Sequence, residues 1–496
     1  MLKSLFNDKI FKLDGAGIIL GRNRSTGLMD LKCPRQQIEI RPKSEQTVVA
    51  KQISSKTTCI NSKVHLLANE EFELNNGDIL TLPGDFKFQF IQNDLKMTES
   101  ISSASKDFWL KSLDLNSGLL IYRSPKFEPK SKIAGFDLDG TLIKTKSGKK
   151  FPVDENDWTF AFNESIISKK LRHLDERDFS LIVFSNQKGI ERNGGVDCFK
   201  RKVEKIAEKL NVPTLWFLAM KDNLYRKPRI GMWTEFHSIF NVQPDKNDSF
   251  YVGDAAGRLE VKKERKKDHS CADRLFAINL GVEFRTPEQF FLDSKKKEQF
   301  EMPLFDPRSL FSENSLPLLQ PPESKLTLED CQEMIIFVGY PAAGKSTLAK
   351  KLKANPNYVI ICQDELKTSQ KCLKMAEDSL NLGKSVVIDN TSPDKESRSK
   401  FLNLVDKAKY PSCKKRCFLF NATLEQAKHN NKFRNLADLT DDKHKNVDDI
   451  VLYSFRKKFQ APTKDEGFDE IVRINLKPAF TDETLKSLYA MFLLEK

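Results

Sequence analysis

Met334-Ile335-Ile336-Phe337-Val338-Gly339-Tyr340-Pro341-Ala342-Ala343-Gly344-Lys345-Ser346-Thr347 is an apolar run that ends in the spacing G-x-x-x-x-G-K-[ST]. Five apolar residues read as a buried strand, and Leu348-Ala349-Lys350-Lys351-Leu352 as the helix after it. Small residues between such a strand and helix let backbone N–H groups wrap a β-phosphate at the helix N-terminus. In this pattern Lys345 neutralises the β/γ oxygens and Ser346 holds Mg²⁺. Gly339, Gly344, Lys345, Ser346 and Thr347 are therefore candidate nucleotide-binding residues. Average composition produces such a match by chance roughly 2% of the time in a chain of this length.

The next apolar run, Tyr358-Val359-Ile360-Ile361, delivers Cys362-Gln363-Asp364-Glu365 at its end, and a transferase needs a group there to accept a hydroxyl proton. Asp364 is the best candidate base, with a helix cap as the alternative. Val386-Val387-Ile388 is followed by Asp389-Asn390, suited equally to metal or substrate support and to capping. Arg398 and the stretch Lys428-His429-Asn430-Asn431-Lys432-Phe433-Arg434 offer cations for a lid over the phosphates; on the residues alone a solvated helix face is the better reading.

Upstream, Ile133 to Phe136 form a second strand-like run that leads directly into Asp137-Leu138-Asp139-Gly140-Thr141. Two carboxylates at alternate positions of a strand end can face one phosphate. Asp137 can attack phosphorus to give an aspartyl-phosphate, while Asp139 protonates the leaving oxygen and then activates water. The glycine lets the backbone turn close to the substrate. A calcium loop is disfavoured by the Gly-Thr tail and the preceding buried strand. The scheme requires phosphate binders and another metal-directed acid. Ser185 after Leu181–Phe184, Lys227 in Arg226-Lys227-Pro228, and Asp254 after Phe250–Gly253 supply them. Asp137, Asp139 and Asp254 are the candidate Mg²⁺ ligands here, and Ser346 is the one in the C-terminal part.

Between Gly17 and Ile91 the pattern changes to short alternating segments such as Gln37-Ile38-Glu39-Ile40-Arg41 and Phe86-Lys87-Phe88-Gln89-Phe90, an all-β sandwich by its period of two. The expected organisation is a β-sandwich over 1–91, a Ser-rich linker over 92–107, an α/β domain over 108–300, a Pro-rich linker over 301–328 and a second α/β domain over 329–496. No internal repeat relates the two α/β parts. Composition agrees: 496 residues predict about three domains, 39% apolar residues with 36 Phe supply cores, and a net charge of +13 favours polyanionic partners. Nine scattered Cys without metal-type spacing point to a reducing compartment. No apolar run approaches the roughly 20 residues that span a bilayer, so a soluble intracellular chain with no membrane partner is expected.

These residues resemble the bifunctional polynucleotide kinase 3′-phosphatases of eukaryotic DNA repair. The middle is similar to the haloacid dehalogenase superfamily through Phe136–Leu142, and to its polynucleotide branch through Tyr225-Arg226-Lys227-Pro228, Gly231-Met232-Trp233, Val252–Arg258 and Lys267–Asp273. The C-terminal part resembles the kinase in its phosphate loop, in Ile388-Asp389-Asn390-Thr391, and in Thr423–Ala427 with His429-Asn430-Asn431. The resemblance implies removal of DNA 3′-phosphates and transfer of the ATP γ-phosphate to 5′-hydroxyl ends, both Mg²⁺-dependent. Asp137, Asp139, Ser185 and Lys227 would serve the first activity. Lys345 and Asp364, with Arg434 at the nucleotide, would serve the second. Cys362-Gln363 stands where an Asn-Arg pair is expected, which removes a basic contact to the DNA end.

The first domain resembles a forkhead-associated module, with Arg22, Lys32 and Arg35 in phosphothreonine-binding loops and Pro34 in place of the family's Ser. Phosphorylated DNA-repair scaffold proteins are the implied partners, a monomer the implied state, and the nucleus the implied compartment, with the mitochondrion as a second. A metabolic kinase–phosphatase fusion is disfavoured by the charge and the two opposed end chemistries. An adaptor with decayed sites is disfavoured by the intact Asp137, Asp139, Lys345 and Ser346.

Overall fold

Ile38 and Ile40 are buried and Glu39 between them is not, the alternation of a strand with one face on a core. That strand, Ile38–Pro42, lies between Ile18–Leu20 and Val48–Gln52 in a four-stranded antiparallel sheet. A six-stranded sheet containing Ile79–Leu82 and Phe86–Phe90 completes the sandwich, and Leu80, Phe88 and Phe90 join Ile38 and Ile40 in one apolar core. The computed structural model describes residues 2–4, 10–11, 18–22, 26, 32–42, 48–61, 64–75, 77–90, 108–110, 112, 118–190, 195–312, 316–437, 446–480 and 482–496. The stretch 92–107, expected as a linker, lies outside them. Two compact units emerge, Met1–Asp107 and Phe108–Lys496.

The second unit contains two mixed sheets with parallel centres. In the first, seven strands run in the order Trp109–Leu110, Leu119–Arg123, Leu215–Ala219, Phe179–Asn186, Lys132–Phe136, Phe250–Val252, Glu283–Arg285. Lys132–Phe136 pairs in parallel with Phe179–Asn186 on one side and Phe250–Val252 on the other, so its end opens at the middle of the sheet. Its apolar run is continuous because both faces are covered. Ala134 and Phe136 pack with Ile167 and Leu171 of the helix Glu164–Glu176, and Ile133 packs with Phe236 and Phe276 on the opposite face.

The other sheet has the order Leu319–Gln320, Glu470–Ile474, Lys414–Phe420, Glu333–Val338, Ser385–Ile388, Tyr358–Ile361. Leu319–Gln320 is antiparallel to Glu470–Ile474 and the rest are parallel. In residues 301–328, read from the sequence as a linker, the chain thus forms a 3₁₀ turn at Pro307–Phe311 and an edge strand, with Leu318 and Leu319 packed on the core of this sheet. Prolines suit such an edge, where the missing N–H deprives no partner.

Every residue of Glu333–Val338 is buried, Glu333 included. Arg416 answers its charge: Nη1 lies 2.8 Å from Glu333 Oε2 and Nε lies 2.7 Å from Glu470 Oε2. Leu328 N–H and the Tyr358 hydroxyl also donate to Glu333. Arg416→Ala is expected to leave a buried carboxylate without its cation and to cost about 3–5 kcal/mol. Denaturant unfolding measures this loss, and a Glu333→Leu/Arg416→Met pair is expected to recover most of it.

Candidate active sites

The chain turns immediately after Phe136. Leu142 and Ile143 N–H both bond back to Leu138 O, and Asp137 N–H donates to Val252 O at 2.9 Å. Strand alternation therefore ends at Asp137, and the two acids of Asp137-Leu138-Asp139 part company. Asp137 is buried and faces inward, whereas Asp139 is exposed and accepts from Gln187 Nε2 at 2.6 Å. Gly140 sits at φ +88°, and a Cβ there would lie 2.5 Å from Asp254 Oδ2, so this turn admits only glycine.

Asp137, Asp254 and Asp273 present oxygens within 4.8 Å of one another. Strand ends lead one to expect Asp137, Asp139 and Asp254 as the metal ligands; the structure brings Asp273 to the cluster and leaves Asp139 beside it. Asp273 stands in the first turn of the helix Ala272–Leu280, so strand-end reasoning passes it by. Its signal in the sequence is the family-like stretch Lys267–Asp273, whose last residue it is.

Lys227 is 2% exposed, and its Nζ lies 2.6 Å from Asp137 Oδ1, 2.7 Å from Asp273 Oδ1 and 2.7 Å from the Tyr251 hydroxyl. Asn186 holds its backbone, accepting from Lys227 N–H at 2.8 Å and donating to Lys227 O at 3.0 Å. Ser185 is buried at the end of the neighbouring strand, 3.0 Å from the same Gln187 Nε2 that reaches Asp139. Of the residues singled out from the sequence, Asp137, Lys227 and Asp254 thus stand in one cluster, and Ser185 is linked to Asp139 through Gln187.

Burial pushes the Asp137 carboxyl up to about 7, with the Lys227 ammonium opposing the rise. Burial, then the neighbouring Asp137 and Asp273, push Asp254 well above the carboxylate range. For Lys227 burial works against the charge, but Asp137 and Asp273 more than offset it and hold the ammonium above its ordinary value. Two buried carboxyls, Asp137 and Asp273, and the half-buried Asp254 gather beside one ammonium, and an oxygen-only donor set of this kind fits a hard divalent cation such as Mg²⁺.

At the second site Gly339 follows the strand Glu333–Val338 so closely under Phe420 that a Cβ would sit 2.7 Å from the Phe420 Cβ. Ala342 and Gly344 take left-handed backbone at φ 61° and 91°, which turns the loop into the helix Lys345–Leu352. Lys345 Nζ curls back over the loop to Gly339 O at 3.0 Å and Tyr340 O at 2.6 Å. Burial brings its ammonium down to about 8, opposed by Asp389 and Asp364 and assisted by Arg434. Those three groups therefore stand within electrostatic reach of Lys345. Ser346 is half-buried and Thr347 exposed in the first helical turn, and Asp364 is exposed in the short helix Gln363–Leu366. A left-handed turn leading into a helix N-terminus, with a buried lysine folded over it, fits a polyphosphate and its Mg²⁺.

The lid cations divide. Arg398 is fully buried and grips Glu466 with Nε and Nη2, both at 2.7 Å, so it is a structural residue and not a phosphate ligand. Lys428 pairs with Asp449, and His429 is buried against Tyr489. In the helix Leu424–Leu436, Asn430 donates to the phosphate-loop carbonyl of Ala342 at 2.8 Å. Arg434, four residues on, shares that face. Helical period, not charge, selects Arg434 from the run.

In the first unit Arg22 N–H donates to Pro34 O at 2.7 Å and Arg22 Nε to Cys33 O at 3.3 Å. A Cβ on Gly21 would meet Arg35 O at 2.4 Å. The Arg22 turn is thus clasped to the turn that carries Lys32 and Arg35, both exposed.

Three family models match the chain: polynucleotide kinase 3 phosphatase over residues 132–291, an AAA domain over 334–462 and an FHA domain over 5–65. A bifunctional polynucleotide phosphatase/kinase of Schizosaccharomyces pombe is 38% identical, the match covering 73% of this chain and 84% of the relative. A putative bifunctional polynucleotide phosphatase/kinase of Acanthamoeba polyphaga mimivirus is 33% identical over 73% and 89%. A polynucleotide 3′-phosphatase of Arabidopsis thaliana is 36% identical over 36% of this chain and 26% of its own. With a phosphatase-type acid cluster and a kinase-type phosphate loop in that order behind an FHA module, this chain belongs to the bifunctional polynucleotide phosphatase/kinase family.

Proposed function

We propose that the chain repairs DNA ends by two separate phosphoryl transfers. Asp137 attacks the phosphorus of a 3′-phosphate; the bond to the 3′-oxygen breaks as Asp139 gives that oxygen its proton, and an aspartyl-phosphate remains. Asp139 then takes a proton from water, which attacks the same phosphorus and releases inorganic phosphate and Asp137. Gln187, bonded to both Asp139 and Ser185, supports this role by holding the acid beside the phosphate site. Ser185 donates to the phosphoryl oxygens and Lys227 neutralises them. Asp137, Asp254 and Asp273 would hold Mg²⁺, which when bound offsets the charge of the phosphoryl group. The observation that carries this reading is the buried Lys227 ammonium between Asp137 and Asp273 at a parallel sheet's opening.

In the kinase, the Gly339–Thr347 loop, Lys345 and Arg434 bind ATP, and Ser346 would hold its Mg²⁺. Asp364 accepts the proton of the 5′-hydroxyl as that oxygen attacks the γ-phosphorus and ADP leaves. A nicked duplex with 3′-phosphate and 5′-hydroxyl ends, incubated with the protein, ATP and Mg²⁺, should become a substrate for ligase. Conversion of neither end would refute the reading.

The FHA module recruits the enzyme to phosphothreonine on DNA-repair scaffold proteins in the nucleus, with Arg22, Lys32 and Arg35 donating hydrogen bonds to the phosphate. Pro34 removes one hydroxyl donor, so moderate affinity is expected. In the full chain Arg35→Ala is expected to weaken binding of an acidic phosphothreonine peptide about ten- to a hundredfold, the worth of a hydrogen bond to a charged group. Calorimetry against the unphosphorylated peptide measures it, and equal binding of both peptides would leave the module as a tether.

A further inference from the structure

The final kinase-side helix, Glu483–Ala490, is followed by six residues, Met491–Lys496, that do not return to the kinase sheet. Leu493 is buried in a cluster with Phe433 and Tyr489. Phe492, next to it, is buried with Cys271 and Leu275 of the phosphatase. The backbone here is bonded at several points to phosphatase side chains. Asn279 forms a reciprocal pair with Phe492, accepting from its N–H at 2.9 Å and donating to its O at 2.9 Å. Arg229 Nη1 donates to Leu493 O at 2.9 Å, and Glu495 O accepts from Cys271 N–H at 2.9 Å.

These contacts converge on the backbone that carries Lys227. Arg226, the residue before it, pairs through Nε with Glu495 Oε1 at 2.6 Å. Pro228, the residue after it, gives its carbonyl to Asn279 Nδ2 at 2.8 Å, the same amide that holds Phe492. Asp222, at the start of this loop, accepts from Lys432 of the kinase helix Leu424–Leu436 at 2.7 Å. The Cys271 bonded by Glu495 immediately precedes the helix of Asp273, the other acid on Lys227. Among the described residues, the hydrogen bonds of Met491–Lys496 on the phosphatase go to the neighbours of Lys227 and Asp273 and not to Lys227, Asp137 or Asp273 themselves.

We infer that Met491–Lys496 is a strap that positions the Lys227 loop, so that 3′-phosphate removal depends on residues beyond the kinase domain's last helix. Asn279 and Glu495 are its positioning residues. The inference rests on the proposed role of Lys227 in neutralising the phosphoryl group. A displaced ammonium loses transition-state charge stabilisation more than ground-state binding. Loss of such a supporting contact typically lowers activity about ten- to a hundredfold.

The test uses the full chain with a 3′-phosphorylated oligonucleotide for the phosphatase and a 5′-hydroxyl oligonucleotide with ATP for the kinase. Asn279→Ala and Glu495→Ala are each expected to lower phosphatase kcat about tenfold or more at little-changed KM, with kinase kcat and the unfolding midpoint retained. The exchange Arg226→Glu/Glu495→Arg is expected to recover activity that either single change loses. Wild-type phosphatase kcat in both alanine variants would overturn the inference, as would parallel loss of both activities with a lowered midpoint. Lys227→Ala, run alongside, separates failure of the strap from failure of the cation's own role. If it kept full phosphatase activity, the role of Lys227 would fall and the strap would have no cation to place.

Discussion

Asp137→Asn is expected to reduce 3′-phosphate removal by on the order of 10⁴-fold or more, the scale seen when a covalent nucleophile is removed, while 5′ phosphorylation continues at its normal rate. The amide keeps the shape of the carboxylate and an oxygen for Lys227, which donates to Asp137 at 2.6 Å. What it loses is the nucleophilic anion. It also removes one of the three carboxylates that gather within 4.8 Å, so Mg²⁺ affinity is expected to fall as well. Rapid acid quench with a ³²P-labelled 3′-phosphate substrate distinguishes these effects. Wild-type protein should carry label and the variant none, even at saturating Mg²⁺. Labelled variant protein would move the nucleophile to another residue, and full turnover would convert the cluster into a site that activates water directly. The kinase is spared because its phosphate loop lies on a different sheet, ordered around Glu333–Val338.

Lys345→Met is expected to show the opposite pattern, a kinase slowed by about 10³-fold or more with the phosphatase intact, because a positioned cation on the transferring phosphoryl group contributes mainly in the transition state. Methionine is the sharper test than alanine, since Lys345 is 8% exposed and its stem fills space beneath the loop. Two carbonyls, Gly339 O and Tyr340 O, lose the ammonium that bridges them, so the loop should also bind ATP less tightly. Asp364→Asn provides the companion result: a drop in kcat of about 10²–10⁴-fold with ATP affinity retained, as expected of a group that handles the proton and not the nucleotide. Both are read by transfer of label from [γ-³²P]ATP to a 5′-hydroxyl oligonucleotide. A fully active Asp364→Asn enzyme would transfer the role of base elsewhere, and the neighbouring Asp389, which also acts on Lys345, would be the first residue to test.

Much of this chemistry is legible in sequence because it is local. A buried parallel strand is a continuous apolar run, and the residues at its end must lie at the opening of the sheet; Asp137, Ser185 and Asp254 are all found this way. The phosphate loop is likewise a matter of spacing, since Gly344 at φ 91° supplies the turn that the motif needs. Groups whose place depends on the packing of distant elements carry no such mark. Asp273 enters the acid cluster from a helix, and Asp139 leaves it because the turn after Phe136 breaks strand alternation. Arg398 and Arg434 are both arginines in charged helical stretches, yet one is buried on Glu466 and the other lies near Lys345.

Sequence by itself determined the kinds of structure and the kinds of reaction: a β-sandwich from a period of two, two α/β parts from strand runs with polar ends, and two phosphate chemistries from residues within a few positions of each other. Those signals survive in one dimension because backbone geometry ties neighbours in the chain to neighbours in space. The tertiary structure decided which charges meet. Lys227 reaches Asp137 across 90 positions and Asp273 across 46, and Arg226 reaches Glu495 across 269. Separations of that length are set by how sheets and helices pack, and burial then gives each carboxylate and ammonium an electrostatic setting that no single stretch of chain encodes.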